Sequence, residues 1–312
     1  MTRVIIFSLF VFRFSASGAQ AGLTDEEKNY FEKVQDSLAR YVHLEIKAVN
    51  NAGKMEYNAQ FLTLLDEALN HTHSEKFSFD SLQKFKMLLI APDKELRVFT
   101  WNMAMDDETQ RYFGYIQHLE KNTGKWSLTK LEDRSEEIKN PDNSLLTAEK
   151  WYGCWYYRII ETYVKQKKFY TLLGWDGNDH ITQKKLIETV TFNSNGEPEF
   201  AGNFEVHKLM GKTDREITVW QKRVIFEYKQ GAVMALKFDE GSHLIINEHL
   251  SPEESWQKGQ YQYYVPDLSL DGYIFKKGKW VFVKDADARN NKTNVDKYYK
   301  DPTKDPNAPP ER

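Results

Sequence analysis

Residues 151–179 read WYGCWYYRIIETYVKQKKFYTLLGWDGND, and how this stretch folds decides the rest. Two runs, 154–164 and 169–175, are rich in aromatic and aliphatic residues. Cys154, Tyr156 and Arg158 alternate with Trp155, Tyr157 and Ile159, the period of a strand whose successive side chains face opposite ways. The polar Lys165-Gln166-Lys167-Lys168 between the runs makes them a hairpin. The second run ends in Asp176-Gly177, a favoured two-residue hairpin turn, because both residue types tolerate positive φ. The same residues have a functional reading. An exposed Trp175 with the polar groups of Asp176, Asn178 and Asp179 would make a platform for a sugar or peptide, and Trp151 is a further candidate ligand contact.

The neighbouring sequence continues in strands. Residues 96–101, 112–119 and 126–131 are short aromatic-rich runs separated by polar turns, as in a β-meander. Residues 185–192 end in Asn193-Ser194-Asn195-Gly196, a turn signal, and 224–228, 232–238 and 244–248 read as a second meander with Gly231 and Gly241 at its bends. Residues 272–275 and 279–283 flank Lys276-Lys277-Gly278, another hairpin. No helix-length amphipathic pattern interrupts these strands, which argues against βαβ units and a parallel sheet.

Helices belong to the start. Thr24-Asp25-Glu26-Glu27 is a capping box, and apolar residues at Tyr30, Phe31, Val34, Leu38, Tyr41, Val42, Ile46 and Val49 follow with helical spacing. A second helix is predicted over 55–69 and a short third one near 81–85. The expected fold is α+β: N-terminal helices packed on a mostly antiparallel, twisted β-sheet that forms a sandwich or partial barrel. The expected layout is a signal peptide over 1–21, a helical segment over 22–85, a β-rich region over 86–283 with a possible internal boundary at 132–141, and a disordered tail over 284–312. The signal is read from Arg3, an apolar run over 4–12 and Ala19-Gln20-Ala21. The run is too short to span a bilayer, which takes about 20 residues. The expectation is therefore an exported chain, periplasmic or extracellular, with no transmembrane segment after cleavage.

Composition limits the partners. With 43 basic and 46 acidic residues the net charge is −3, and no basic cluster marks a nucleic-acid surface. The single cysteine rules out an internal disulfide, and the 14% aromatic share favours strands.

Four segments together resemble an uncharacterised family of secreted Gram-negative bacterial proteins: WYGCWYYRII (151–160), KFYTLLGWDGND (168–179), RVIFEYKQGAVMALKFDE (223–240) and PDLSLDGYIFKKGKWVF (266–282). The similarity covers roughly the last two thirds of the mature chain before the tail. What the resemblance implies is secretion and a shared β-rich fold. It brings no activity and no catalytic residue.

Recognisable catalytic chemistry is sparse. Gly153-Cys154-Trp155 is similar to the Cys-Trp junction of papain-like proteases, but a nucleophilic thiol wants a helix N-terminus and this one lies in a strand pattern. There is no GxSxG elbow and no HExxH, and His71-x-His73 needs a third ligand from elsewhere to hold a metal. His243 and His249 read as strand-end residues. Asp176, Glu248, Asp267 and Asp271 stand at strand ends or turns, where acids for glycoside hydrolysis could meet. The aromatic cluster Trp151, Tyr152, Trp155, Tyr156 and Tyr157 is expected to be core, its second face covered by the helix over 25–49. The leading expectation is a non-enzymatic protein binding an extracytoplasmic ligand or partner through an aromatic-lined surface, with no cofactor or metal. The alternatives are an extracytoplasmic hydrolase with paired carboxylates and a structural subunit of an envelope assembly.

Overall fold

A computed structural model describes residues 22–209 and 216–286. The expected signal peptide, and the expected tail beyond residue 286, lie outside the described residues.

Helix α1 (Asp25–Lys47) begins at the capping box: Thr24 Oγ1 accepts from the Glu27 amide and the Glu27 carboxylate accepts from the Thr24 amide. Its buried stripe is Phe31, Val34 and Leu38, one residue per turn. Asn50 caps α2 (Asn51–Asn70) through the Gly53 amide, and α2 buries Asn58, Phe61, Leu65, Ala68 and Leu69. A single short helix, α3 (Asp80–Lys84), leads into the strands.

The first sheet is the antiparallel meander β1 (Leu88–Ile90), β2 (Leu96–Ala104), β3 (Gln110–Leu119) and β4 (Trp126–Leu131). Its two faces are both buried. Leu88, Phe99, Trp101 and Tyr115 pack under the helices, while Leu96, Val98, Tyr112 and Ile116 point the other way. This is why β2 is buried at nearly every position and shows no alternation of apolar with polar residues.

The chain then crosses into a second sheet, β5 (Leu146–Thr147), β6 (Trp155–Val164), β7 (Lys167–Asp176), β8 (Thr182–Phe192) and β9 (Pro198–Phe200). A third sheet starts with β10 (Phe204–Leu209) and β11 (Glu216–Gln221). Strand β12 (Arg223–Lys229) returns to the second sheet beside β8, and β13 (Leu236–Asp239), β14 (Leu244–Pro252), β15 (Tyr264–Lys276) and β16 (Lys279–Val283) complete the third. Among the described residues the strands pair antiparallel except at one residue pair between β10 and β16, and outside the strands Asp133 forms an isolated parallel bridge with Trp151. The architecture is α+β: helices on the outer face of stacked, mostly antiparallel sheets.

The second sheet is the central layer, and consecutive residues serve opposite cores. Leu172 and Leu186 face the first sheet, whereas Leu173 and Ile187 face the third with Tyr273 and Trp280. Trp151, Tyr152 and Tyr156 belong to the core against the first sheet. The first sheet, and not α1, therefore covers Trp151, Tyr152 and Tyr156, while Tyr157 packs in the core facing the third sheet. The apolar stripe of α1 is answered by the opposite face of that sheet.

The expected meander of 224–228 with 232–238 also gives way. Strand β12 pairs with β8, placing Arg223 directly opposite Glu188, and both side chains are completely buried. Arg223 Nε donates to Glu188 at 3.0 Å, and its remaining nitrogens donate to the carbonyls of Pro141, Ser144 and Phe200. Tyr156 Oη donates to the same carboxylate and accepts from Trp151 Nε1. A buried charge pair of this kind tolerates no other pairing, because a slipped strand would strand both ions in apolar surroundings. The network also ties down residues 140–146. The 132–141 stretch is bonded rather than free: the amide of Trp151 donates to Glu132 and the amide of Arg134 donates to Trp151. Packing continues past residue 283, since Ala286 is buried and its amide donates to Leu270.

Candidate functional site

The turn after β7 is closed upon itself. The connection runs over residues 177–181 and is longer than the expected two-residue Asp-Gly turn. Asn178 (φ 48°), and not Gly177, takes the left-handed conformation. Gly177 is needed for close approach: a Cβ there would lie 2.7 Å from the Trp175 ring. Asp176 is buried and accepts from Tyr112 Oη at 3.0 Å and the Asn178 amide at 2.7 Å. Burial pushes its carboxyl up, against the opposing charge of Lys184. Asn178 Nδ2 donates to Thr182, its Oδ1 accepts from Lys184, and Asp179 accepts from the amides of Ile181 and Thr182. These polar groups are spent on the protein.

Of the expected platform, Trp151 is fully buried core. Asp176 and Asn178 hold the bend. Trp175 is half-buried, as are Asn178 and Asp179; it donates from Nε1 to Gln183 and meets Trp155 edge-on at 6.4 Å.

Trp155 leads to the aromatic cleft, of about 450 Å³, between the helices and the first sheet. Beyond Leu38 the stripe of α1 leaves the core, and its next turns bring Tyr41, Val42, Glu45 and Ile46 to one wall. Helix α2 supplies Lys54, Asn58 and Phe61; β2 supplies Trp101, Asn102 and Ala104; and Phe85, Met87 and Trp155 complete the lining. Trp155 Nε1 donates to the Lys86 carbonyl at 2.6 Å, which fixes its ring across the layers. Phe61 meets Trp101 edge-on at 5.0 Å. The rim is clamped because Asn51 and Asp106 exchange amide–side-chain hydrogen bonds, and Lys54 Nζ bridges Asp106 and the Ala104 carbonyl.

Two polar groups in this cleft remain without a partner. Asn58 is 6% exposed; its Oδ1 accepts from Trp101 Nε1 at 2.9 Å, while its NH₂ has no acceptor among the described residues. The Glu45 carboxylate likewise has no hydrogen bond or ion pair among them. Burial raises its pKa, with the charge of Lys54 acting the other way. Exposed Ile46, Val49 and Met55 add apolar surface where α1 meets α2.

Three of the four acids singled out from sequence do meet. Glu248, Asp267 and Asp271 line a second cleft of about 540 Å³ with His249, and Asp176 lies elsewhere. His249 Nδ1 is 2.9 Å from Asp271 and its Nε2 is 3.9 Å from Asp267. The hydrogen bond to Asp271 raises the imidazole pKa in spite of burial. A carboxylate near each nitrogen favours the protonated form of the ring.

His71 stacks on Tyr30 at 4.6 Å and His73 pairs with Glu27 at 2.8 Å, so the two are engaged separately. No group of three metal-ligating side chains occurs among the described residues. Cys154 is fully buried, which pushes its thiol pKa well up and away from nucleophilic use. No described helix is long and apolar enough to cross a membrane.

Comparison of the chain with protein-family models, with curated proteins and with solved structures finds no match.

The cleft was missed in the sequence because its lining comes from α1, α2, β2 and β6. One signal was present. Asn58 is a polar residue on the stripe that continues through Phe61, Leu65 and Ala68, a position where an apolar side chain is the rule.

Proposed function

We propose that this chain is an exported, non-enzymatic binding protein that takes a small, largely apolar ligand in the cleft between α1, α2 and β2. The observation that carries this reading is the combination of five aromatic rings with two unpartnered polar groups, Asn58 NH₂ and the Glu45 carboxylate, in one rigidly framed cavity. Ligand sites are concave, mostly apolar, and carry a few placed polar groups. Export draws its support from the leader-like residues 1–21 and from the resemblance to secreted Gram-negative proteins. The test is thermal unfolding of the full chain with a panel of small aromatic and aliphatic compounds. A ligand at a hundred times its Kd adds about 2.7 kcal/mol of stability, an upward shift of several degrees. Trp155→Ala should abolish the shift. An equal shift in that variant, or a flat panel, would reject the cleft as the site.

A second reading, an extracytoplasmic hydrolase, draws on the meeting of Glu248, Asp267 and Asp271 in the second cleft. Against it, His249 occupies the space beside Asp267 and Asp271. Turnover of glycans that disappears in Asp267→Asn would favour this reading over binding alone.

A further inference from the structure

Resting on the cleft as a binding site, the inference concerns the chemistry of what it takes. Glu45 follows Tyr41 by one helical turn, and both line the same wall. Its carboxylate makes no hydrogen bond or ion pair among the described residues. The cation whose charge acts on it, Lys54, commits its ammonium to Asp106 at 3.1 Å and to the Ala104 carbonyl at 2.8 Å. Tyr41, Phe85, Trp101 and Trp155 line the same cleft as Glu45, and their ring faces are electron-rich.

Three ligand classes can be compared on these facts. An anion would meet Glu45 and the ring faces, and the lysine it needs is already engaged. A divalent metal would find a single carboxylate where it requires several oxygen ligands. An organic cation gains from both features: it pairs with the carboxylate and lies against the aromatic faces, and its weak hydration makes entry into an apolar cleft inexpensive. The Asn58 NH₂ adds one donor for an ether or carbonyl oxygen on the ligand body.

We propose that the cleft binds a substituted ammonium ion carried on an aromatic or short aliphatic body, with Glu45 as the counter-charge and the surrounding rings as the cage.

The experiment compares two probes of the same shape, benzyltrimethylammonium and its neutral isostere neopentylbenzene. Binding to the full chain is followed through the indole N–H resonances of Trp101 and Trp155. The cation should bind about tenfold more tightly than the isostere, the ratio that cation–π and charge pairing in a half-buried site supply. Glu45→Gln should remove most of that preference while leaving the isostere's affinity unchanged. If both probes bind equally, and Glu45→Gln alters neither, the cation assignment is wrong and the cleft reading stands. If neither probe moves the indole signals, both are wrong. Because Glu45 is partly exposed near the end of α1, the Gln variant should fold, and an unchanged indole spectrum before titration verifies it.

Discussion

The hairpin end around Asp176–Thr182 and the cleft beneath α1 and α2 are built from the same materials, aromatic rings and polar side chains, yet they differ in how the polar atoms are satisfied. At the hairpin end, Tyr112, Asp176, Asn178 and Lys184 supply one another's donors and acceptors, and Asp179 accepts from the Ile181 and Thr182 amides. In the cleft, the Asn58 NH₂ and the Glu45 carboxylate have none of their own. A completed network stabilises the fold and has nothing left to offer a ligand. An incomplete one keeps water that a matching ligand can displace. A motif conspicuous in sequence was the completed kind, and the inconspicuous residues hold the open one.

That contrast predicts that substitutions in completed networks cost stability, and that those in the cleft cost affinity. The largest effect is expected at the buried Glu188–Arg223 pair. Arg223→Met leaves an ion unpaired and should cost about 3–5 kcal/mol in urea unfolding, whereas Glu188→Leu combined with Arg223→Met should recover most of it. A double variant as unstable as the single one would mean that the carbonyl contacts of Arg223, and not its charge, matter.

Next comes Tyr112→Phe, which removes a donor to Asp176 and the acceptor of the Gly177 amide. A loss of about 1–3 kcal/mol is expected, with no change in the affinity of any cleft ligand. A change in affinity would erase the distinction between the two regions.

Smaller effects come from titration. The folded-state pKa of His249 is raised above its usual 6.5 by the hydrogen bond to Asp271, so its contribution is complete below the unfolded pKa and is lost as pH rises through the folded value. The side chain is 51% exposed, and screening limits the effect to a few tenths of a kcal/mol. Comparing unfolding of the protein and His249→Asn across pH 5.5–8.5 should reveal a difference that shrinks with rising pH. A difference independent of pH would point to packing.

The Glu45 pKa shifts in the same direction, for a different reason. Because burial raises its folded pKa, ionising it disfavours the folded state, and stability falls as pH rises from the unfolded pKa through the folded one. Glu45→Gln should therefore be more stable at neutral pH by a few tenths of a kcal/mol, discounted for partial exposure, while losing affinity for the cationic probe. A variant that loses both would make Glu45 a structural residue.

Much of the fold was legible from local signals. The Thr24–Glu27 capping box, the stripe of α1 and strands β2, β3 and β4 lie where caps and periods place them. The Lys277-Gly278 hairpin turn has φ values of 51° and 84°, the conformation its glycine invites. The site was far less legible. The ligand-contact candidates Trp151 and Asp176 are buried, and Glu248 and His249 are brought beside Asp267 and Asp271 only by the register of β14 and β15.

The sequence by itself determined the helices, most of the long strands and the Lys277-Gly278 turn, because each depends on residues a few positions apart: a cap and its amide, a side chain and the next on the same face. Only the tertiary structure decided that β12 joins β8, that the first sheet covers Trp151, Tyr152 and Tyr156, and that the Asn58 NH₂ and the Glu45 carboxylate have no hydrogen-bond partner among the described residues. Those outcomes rest on contacts between distant segments. Burial and polar satisfaction are properties of the assembled layers, where the environment of each group is set by residues far away in the chain.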